Sequence, residues 1–416
     1  MKYGLLIHEP TTNLGDDIQS YAIKQFLPHV DYYVNREEID SFKSENNEPV
    51  ATVMAAWWMW KKFDWPPAEC IIPKMVSMHI NHYGARENAS PVSTEWLEGI
   101  GKEYFDAYGP VGVRDSVTLD YLKDTGIDAY FSGCITLTLP KQKETADKGT
   151  YVVIADLRDD LKAKVKEWLK DSGLEIREVS HRYSYRKNPD TMDNRFEKIE
   201  DLLTLYQNAK FVVTRRLHVT LPCLAMEVPV MSIVDLEQKG NYTRWAPYSD
   251  WVNYISEADI LAGNINYDYN NPPENKKDYL ETRNALTKNI KSFIDEMESY
   301  GENVTLEDVK KTKYTETEAR AWQYDLLRDT CDKWLYAGRK LLEDYKKSKK
   351  KATELEKELE KTKKELEKTK KELEKAKKEL EKATKNAEKY KRLSERSLIR
   401  IFASRLKRFL KRVLKK

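Results

Sequence analysis

Through residues 1–300, short apolar β-branched runs alternate with segments of helical period. Lys2 to His8, Val111 to Val113 and Tyr151 to Ala155 read as buried strands, because they are short, continuously apolar and bounded by turn residues. Helices are expected from Ile18 to Phe26 (capped by Asp16 or Asp17), Glu95 to Tyr108, Asp115 or Ser116 to Asp124, Leu161 to Lys170, Phe196 to Gln207 and Asp278 to Tyr300. Further strands are expected at Val30 to Val34, within Val50 to Trp60 and Ala129 to Leu139, and at Leu174 to Val179. The clearest unit runs from Ala209 to Ile233. A β-branched run ends in Arg215-Arg216-Leu217-His218, a short helix follows, and Val228-Pro229 opens another apolar run. Alternating strands and helices of this kind form doubly wound parallel sheets. The polar, aromatic-free segment Lys141 to Gly149 divides them, predicting two Rossmann-like domains, 1–140 and 150–300, facing a cleft.

The pattern then changes. Residues 314–348 form a helix whose apolar face, from Ala319 and Trp322 through Trp334 and Leu342, is expected to pack back on the body. In 349–391, Leu359, Leu366, Leu373 and Leu380 recur every seven residues, with Thr362, Thr369, Ala376 and Ala383 three positions on. A parallel coiled coil that pairs two copies and a free-standing charged helix with Glu-to-Lys i,i+4 pairs both fit. In 396–416, Leu398, Ile399, Phe402, Leu406, Phe409, Leu410, Val413 and Leu414 fall on one side of a helix and the cations on the other. This is the pattern of a helix lying on an anionic membrane surface.

Composition narrows the function classes. Charged residues make up 34% of the chain, but the excess lies in the Lys/Glu repeat. The net charge of +3 hides nine Lys/Arg without an acid between Arg396 and Lys416, so the body is net negative and unsuited to nucleic acid. Four scattered cysteines without a CxxC pair suit a reducing cytoplasm rather than a disulfide or zinc framework. The absence of a signal peptide and of an apolar run near 18 residues predicts a cytoplasmic protein, peripheral on the inner face of the membrane. The dispersed histidines and the lack of an Asp-x-Asp pair predict no obligatory metal.

Ligands of open α/β sheets bind outside the carboxyl ends of strands. Three loops fall at such positions: Asn13 to Asp17, Arg114 to Ser116, and Arg215 to His218. Guanidinium forks match carboxylate and phosphate oxygens, so an arginine from each half can close on one small dianion. Arg216 and His218 share one side of an extended segment, while Arg215 points the other way and reads as structural.

Asn13-x-Gly15-Asp16, Gly112-Val113-Arg114-Asp115-Ser116, and Val213-Thr214-x-Arg216-Leu217-His218 followed by Ala225-x-x-Val228-Pro229-Val230 together resemble the polysaccharide pyruvyl transferase family. The likeness spans roughly residues 1–300 in order and spacing. It implies a fold similar to GT-B glycosyltransferases, with the acceptor on the N-terminal domain and the donor on the C-terminal one. It implies transfer of the pyruvyl unit of phosphoenolpyruvate to two hydroxyls of a cell-surface or capsular saccharide, giving a ketal and phosphate, with no cofactor. Arg114 and Arg216 then match the donor-binding arginines, and Lys239 lies near the family lysine that follows the Val-Pro-Val strand. Asn13 and Gly15 belong to the acceptor-side site loop. His218, with a pKa near the operating pH, is the candidate general acid, and Asp16 is the candidate base or acceptor ligand. With the tail on a membrane, the acceptor would be lipid-linked. A GT-B-type glycosyltransferase using a sugar nucleotide, and a non-catalytic membrane-tethered scaffold for glycan assembly, are the rival readings.

Overall fold

The computed structural model describes residues 1–9, 11–58, 64–80, 94–182, 191–235 and 244–413. Residues Met1–Thr330 form one compact unit and Cys331–Lys416 a second.

The first unit is mixed α/β with parallel sheets. Strands β1 (Lys2–Ile7), β2 (Tyr32–Asn35), β3 (Val50–Val53) and β5 (Ile71–Lys74) pair in the order β2-β1-β3-β5, all parallel. Strand β4 (Trp57–Trp58) pairs with β6 (His79–Ile80), and β7 (Val111–Val113) pairs with β8 (Ala129–Phe131). The chain beyond β5 links them: Gly112 N–H donates to Met75 O at 3.0 Å and Met78 N–H to Gly112 O at 3.1 Å. The Met78–Val113 bridge is parallel, so β7 runs with β1 and Arg114 leaves the edge from which the β1 loop leaves.

The second sheet has the order β10-β9-β11-β12-β13, again all parallel. Its strands are β9 (Tyr151–Ala155), β10 (Glu175–Val179), β11 (Phe211–Thr214), β12 (Val230–Ile233) and β13 (Asn253–Ile255). Every residue of β9, β11 and β12 is buried, as expected when both faces are covered, and this is why those segments read as unbroken apolar runs. The helices are α1 (Leu14–Lys24), α2 (Gly99–Tyr108), α3 (Ser116–Asp124), α4 (Asp159–Leu169), α5 (Met192–Asn208), α6 (Leu217–Ala225), α7 (Glu257–Ala262), α8 (Leu280–Ser299), α9 (Leu306–Val309) and α10 (Glu316–Val413).

The Lys141–Gly149 segment does fall between the two sheets, but the cores on either side are not separate. Helix α8 returns to the first sheet, where Leu286, Ile290, Phe293, Ile294 and Met297 join a cluster containing Leu5, Val53 and Met54. Phe196 and Leu203 of α5 belong to the same cluster.

Helix α10 begins in the first unit and continues through the second. Ala319 and Leu326 are buried, Trp322 packs beside them, and Arg320 pairs with Asp40 at 3.0 Å. Beyond Thr330, in the second unit, Trp334, Leu335 and Leu342 are exposed.

Candidate functional site

Three strand-to-helix loops, distant in sequence, meet at the carboxyl edges of the two sheets. The first follows β1. Asn13, not Asp16 or Asp17, caps α1, accepting from Gly15 N–H at 3.2 Å. Helix α1 therefore starts at Leu14, four residues earlier than the Ile18 start read from the sequence. Asp16 is held by Thr11 Oγ1 at 2.7 Å. Asp17 is buried against Arg195, which also donates to Glu9 at 3.2 Å. Burial pushes the Asp17 carboxyl up to about 6, against the pull of Arg195. Gly15 lies against His218: a Cβ there would meet the imidazole Nδ1 at 2.9 Å, so the position has no room for a side chain.

The second loop follows β11, beside β9 at the point where the strand order reverses. Thr214 Oγ1 donates to Ala155 O at 3.1 Å and accepts from Arg216 N–H at 3.0 Å, fixing the turn. Arg216 pairs through Nε with Asp156 and donates through Nη1 to Asn13 Oδ1 at 3.3 Å. Asp156 takes a positive φ of 52° at the end of β9 and accepts from Ser180 Oγ and His181 N–H. Burial opposes its charge, but these donors and Arg216 hold its carboxyl below the usual range. Arg215 turns away and pairs with Glu257, which also binds Arg158 at 2.7 Å.

The third loop follows β7. Arg114 is buried, and its Nη1 lies 2.5 Å from Gln19 Oε1 and 3.4 Å from His218 Nε2. Tyr248 holds it from the far side, donating to Arg114 O at 2.5 Å. An arginine N–H can only donate, so Nε2 accepts and the proton of the neutral imidazole sits on Nδ1. Burial, then Arg114, Arg244, His181 and Arg216, hold His218 well below its ordinary pKa. This corrects the expectation of a pKa near the operating pH: among these cations the free site keeps His218 neutral.

The structure thus brings Asn13, Gly15, Asp16, Arg114, Arg216 and His218 together. Lys239 lies outside the described residues. Sequence reasoning missed several neighbours. Arg244 acts electrostatically on Arg114, Arg216 and His218, but nothing in the aromatic loop around it marked it. His79 on β6 binds Asp115 Oδ2 through Nδ1 at 2.6 Å. Asp115, read only as the cap of α3, does cap it, accepting from Thr118 N–H at 2.8 Å, and also orients this imidazole. Cys134 Sγ lies 3.8 Å from His218 Nε2, and His181 is buried beside Tyr206 with its Nε2 2.8 Å from the hydroxyl. Among the described residues no group of three or more His, Cys, Asp or Glu has the geometry to hold a metal ion.

The arrangement sets guanidiniums from both halves around one imidazole, a cationic cluster of the chemistry that suits an anionic ligand. Residues 79–235 match the model of the polysaccharide pyruvyl transferase family. That span runs from His79 to just past β12 and includes Arg114, Asp115, Cys134, His181, Arg216 and His218. The family match therefore covers two of the three loops, and the β1 loop joins them through the fold.

No curated protein matches the chain. Among solved structures, it is similar to the UDP-GlcNAc 2-epimerase of Methanocaldococcus jannaschii at 11% identity and a TM-score of 0.39, covering 72% of this chain and 100% of that one. The wall teichoic acid polymerase TagF is similar at 10% identity and a TM-score of 0.33, covering 80% and 90%. A functionally uncharacterized protein of Klebsiella pneumoniae is similar at 12% identity and a TM-score of 0.33, covering 60% and 92%.

Proposed function

We propose that this polysaccharide pyruvyl transferase homologue transfers the pyruvyl unit of phosphoenolpyruvate to a pair of saccharide hydroxyls. The observation that carries the reading is the convergence of Arg114 and Arg216 on His218 at the carboxyl edges of both sheets. Phosphoenolpyruvate presents a carboxylate and a phosphate, and two guanidiniums from different loops suit two anionic groups.

The reaction balances without a cofactor. Of the two hydroxyl protons lost by the sugar, one is balanced by the proton that converts the donor methylene to methyl, and the other leaves with phosphate. The two hydroxyl oxygens bond to the former enol carbon, and its bond to the phosphate oxygen breaks. His218 is the proton donor to the methylene carbon. It is neutral while the site is empty, and a multiply charged anion among the arginines raises its proton affinity. Asp16 and the His79–Asp115 pair are the candidates for receiving the hydroxyl proton. The pair has a carboxylate-oriented imidazole, the geometry of a general base.

The acceptor is a cell-surface or capsular saccharide carried on lipid at the inner membrane face, where the tail would hold the enzyme. Among the described residues no helix is long and apolar enough to cross a membrane. The tail is helical to Val413, with Leu398, Ile399, Phe402 and Leu406 exposed. Removing 397–416 should release the full chain from anionic vesicles while leaving transfer to a water-soluble acceptor intact.

The test of the reaction is incubation of the purified chain with phosphoenolpyruvate and candidate glycans. Acceptor-dependent phosphate release with a new ketal methyl signal by NMR is expected. Turnover of a sugar nucleotide in its place would overturn the reading in favour of glycosyl transfer.

A further inference from the structure

The second unit, Cys331–Lys416, carries most of the exposed large hydrophobic side chains among the described residues, and the reaction does not use them. Leu359, Leu366 and Leu373 are 55%, 55% and 56% exposed, the same environment at each heptad. Placing these leucines at position a puts Thr362, Thr369, Ala376 and Ala383 at d. The alternative, leucine at d, would bury Lys363, Lys370 and Lys377 in the seam. With leucine at a, the frame also runs back through exposed residues of the second unit. Cys331, Tyr345 and Ala352 fall at a, and Trp334, Leu341 and Leu355 at d. The threonines tolerate a dry seam, because Thr362 Oγ1 donates to Glu358 O at 2.9 Å and Thr369 Oγ1 to Glu365 O at 3.0 Å.

The flanking charges select the occupant. Glu358, Glu365 and Glu372 stand at g, and Lys363, Lys370 and Lys377 at e. In a parallel pair of identical helices, each g residue faces the e residue five positions on in the other copy, so all three become Glu–Lys pairs in both directions. An antiparallel pair would set Glu against Glu and Lys against Lys. One heptad inverts the signs: Lys351 is at g and Glu356 at e, and they still match in register. Sliding by one heptad would oppose Lys351 with Lys363, or Glu358 with Glu356. Asp344 and Lys349 complete the series.

We propose that α10 is the seam of a parallel, in-register homodimer from Cys331 to Tyr390, with leucine at a and threonine or alanine at d between Leu359 and Ala383, and g-to-e charge pairs that select a second copy of this chain. The seam ends where Ser394 and Ser397 occupy a and d, and the two basic tails then leave from the same end.

Light scattering on the full-length chain at micromolar concentration should give the mass of two chains; a monomer would overturn the proposal. The triple variant Lys363→Glu, Lys370→Glu, Lys377→Glu sets glutamate against glutamate and should weaken pairing about tenfold or more. The mirror variant Glu358→Lys, Glu365→Lys, Glu372→Lys should do the same. Circular dichroism should report unchanged helix in each, and mixing the two should restore a mixed dimer. Failure of the mixture to pair would contradict the charge assignment. Orientation is read with Ala352→Cys in a Cys331→Ser background. Parallel pairing brings the two new cysteines within disulfide reach, and mild oxidation should crosslink the chains. A dimer that does not crosslink would be antiparallel or shifted, against the proposal.

Discussion

Arg114 and Arg216 both follow a short parallel strand and both approach His218, yet they are held differently. Arg114 is buried, with Gln19 and His218 at its guanidinium and Tyr248 on its carbonyl. Arg216 is half-buried and already paired with Asp156. In the proposed reaction an incoming anion would meet Arg114 as a preorganised cation whose neighbouring acceptors are neutral, but would have to compete with a carboxylate for Arg216. The desolvation of Arg114 is met by folding, so its charge is available to the ligand at little further cost. Arg216 is closer to a latch that can exchange Asp156 for substrate.

This contrast fixes the order of expected effects. Arg114→Ala should lower transfer by roughly 10²–10³-fold, the scale for removing a preorganised donor from a charge-stabilising site. A loss below tenfold in steady-state rates would remove the asymmetry between the arginines.

The next effect is on stability. His181, beneath the Asp156–Arg216 pair, is lowered to about 4 by burial and by Arg216. Between pH 6.5 and about 4 the unfolded chain takes up this proton and the folded one does not. Stability is therefore lost as pH falls through that window, by about 3 kcal/mol for this group. His218 adds to the loss in the same direction. Thermal melts across this range should fall with pH, and the fall should be shallower in His181→Asn.

Arg216→Ala should cost less than Arg114→Ala, about tenfold in donor affinity, because its charge is already shared. Asp156→Asn sharpens the same point: asparagine accepts the positive φ, frees Arg216, and should tighten donor binding severalfold by calorimetry while weakening the loop. The smallest effect belongs to Arg215→Ala. It pairs with Glu257, which also binds Arg158, so activity should change by less than about threefold, with about 0.5–1 kcal/mol lost from stability.

Much of the site was legible in the sequence, for reasons that also show why the rest was not. Strands β9, β11 and β12 are buried on both faces and announce themselves as apolar runs, so the residues just past their ends could be placed. Arg215 and Arg216 do reach different partners, Glu257 and Asp156, although the strand ends at Thr214 and His218 lies in α6 rather than on an extended segment. The acidic pair Asp16-Asp17 imitated a helix cap, whereas the capping oxygen belongs to Asn13 and Asp17 serves Arg195. Strand β5 contains Pro73 and β6 has only two residues, so no periodicity exposed His79. Arg244 acts on the cluster through its charge, and no pattern in the sequence around it signals this. In α10 the heptad was plain from the repeating leucines.

The most direct measurement is calorimetric titration of phosphoenolpyruvate into the full-length chain and its Arg114→Ala and Arg216→Ala variants, with a sugar nucleotide as comparison. The account predicts one phosphoenolpyruvate per chain, abolished by Arg114→Ala, weakened about tenfold by Arg216→Ala, and no heat from the sugar nucleotide. Equal binding by all three proteins, or binding of the sugar nucleotide alone, would contradict it.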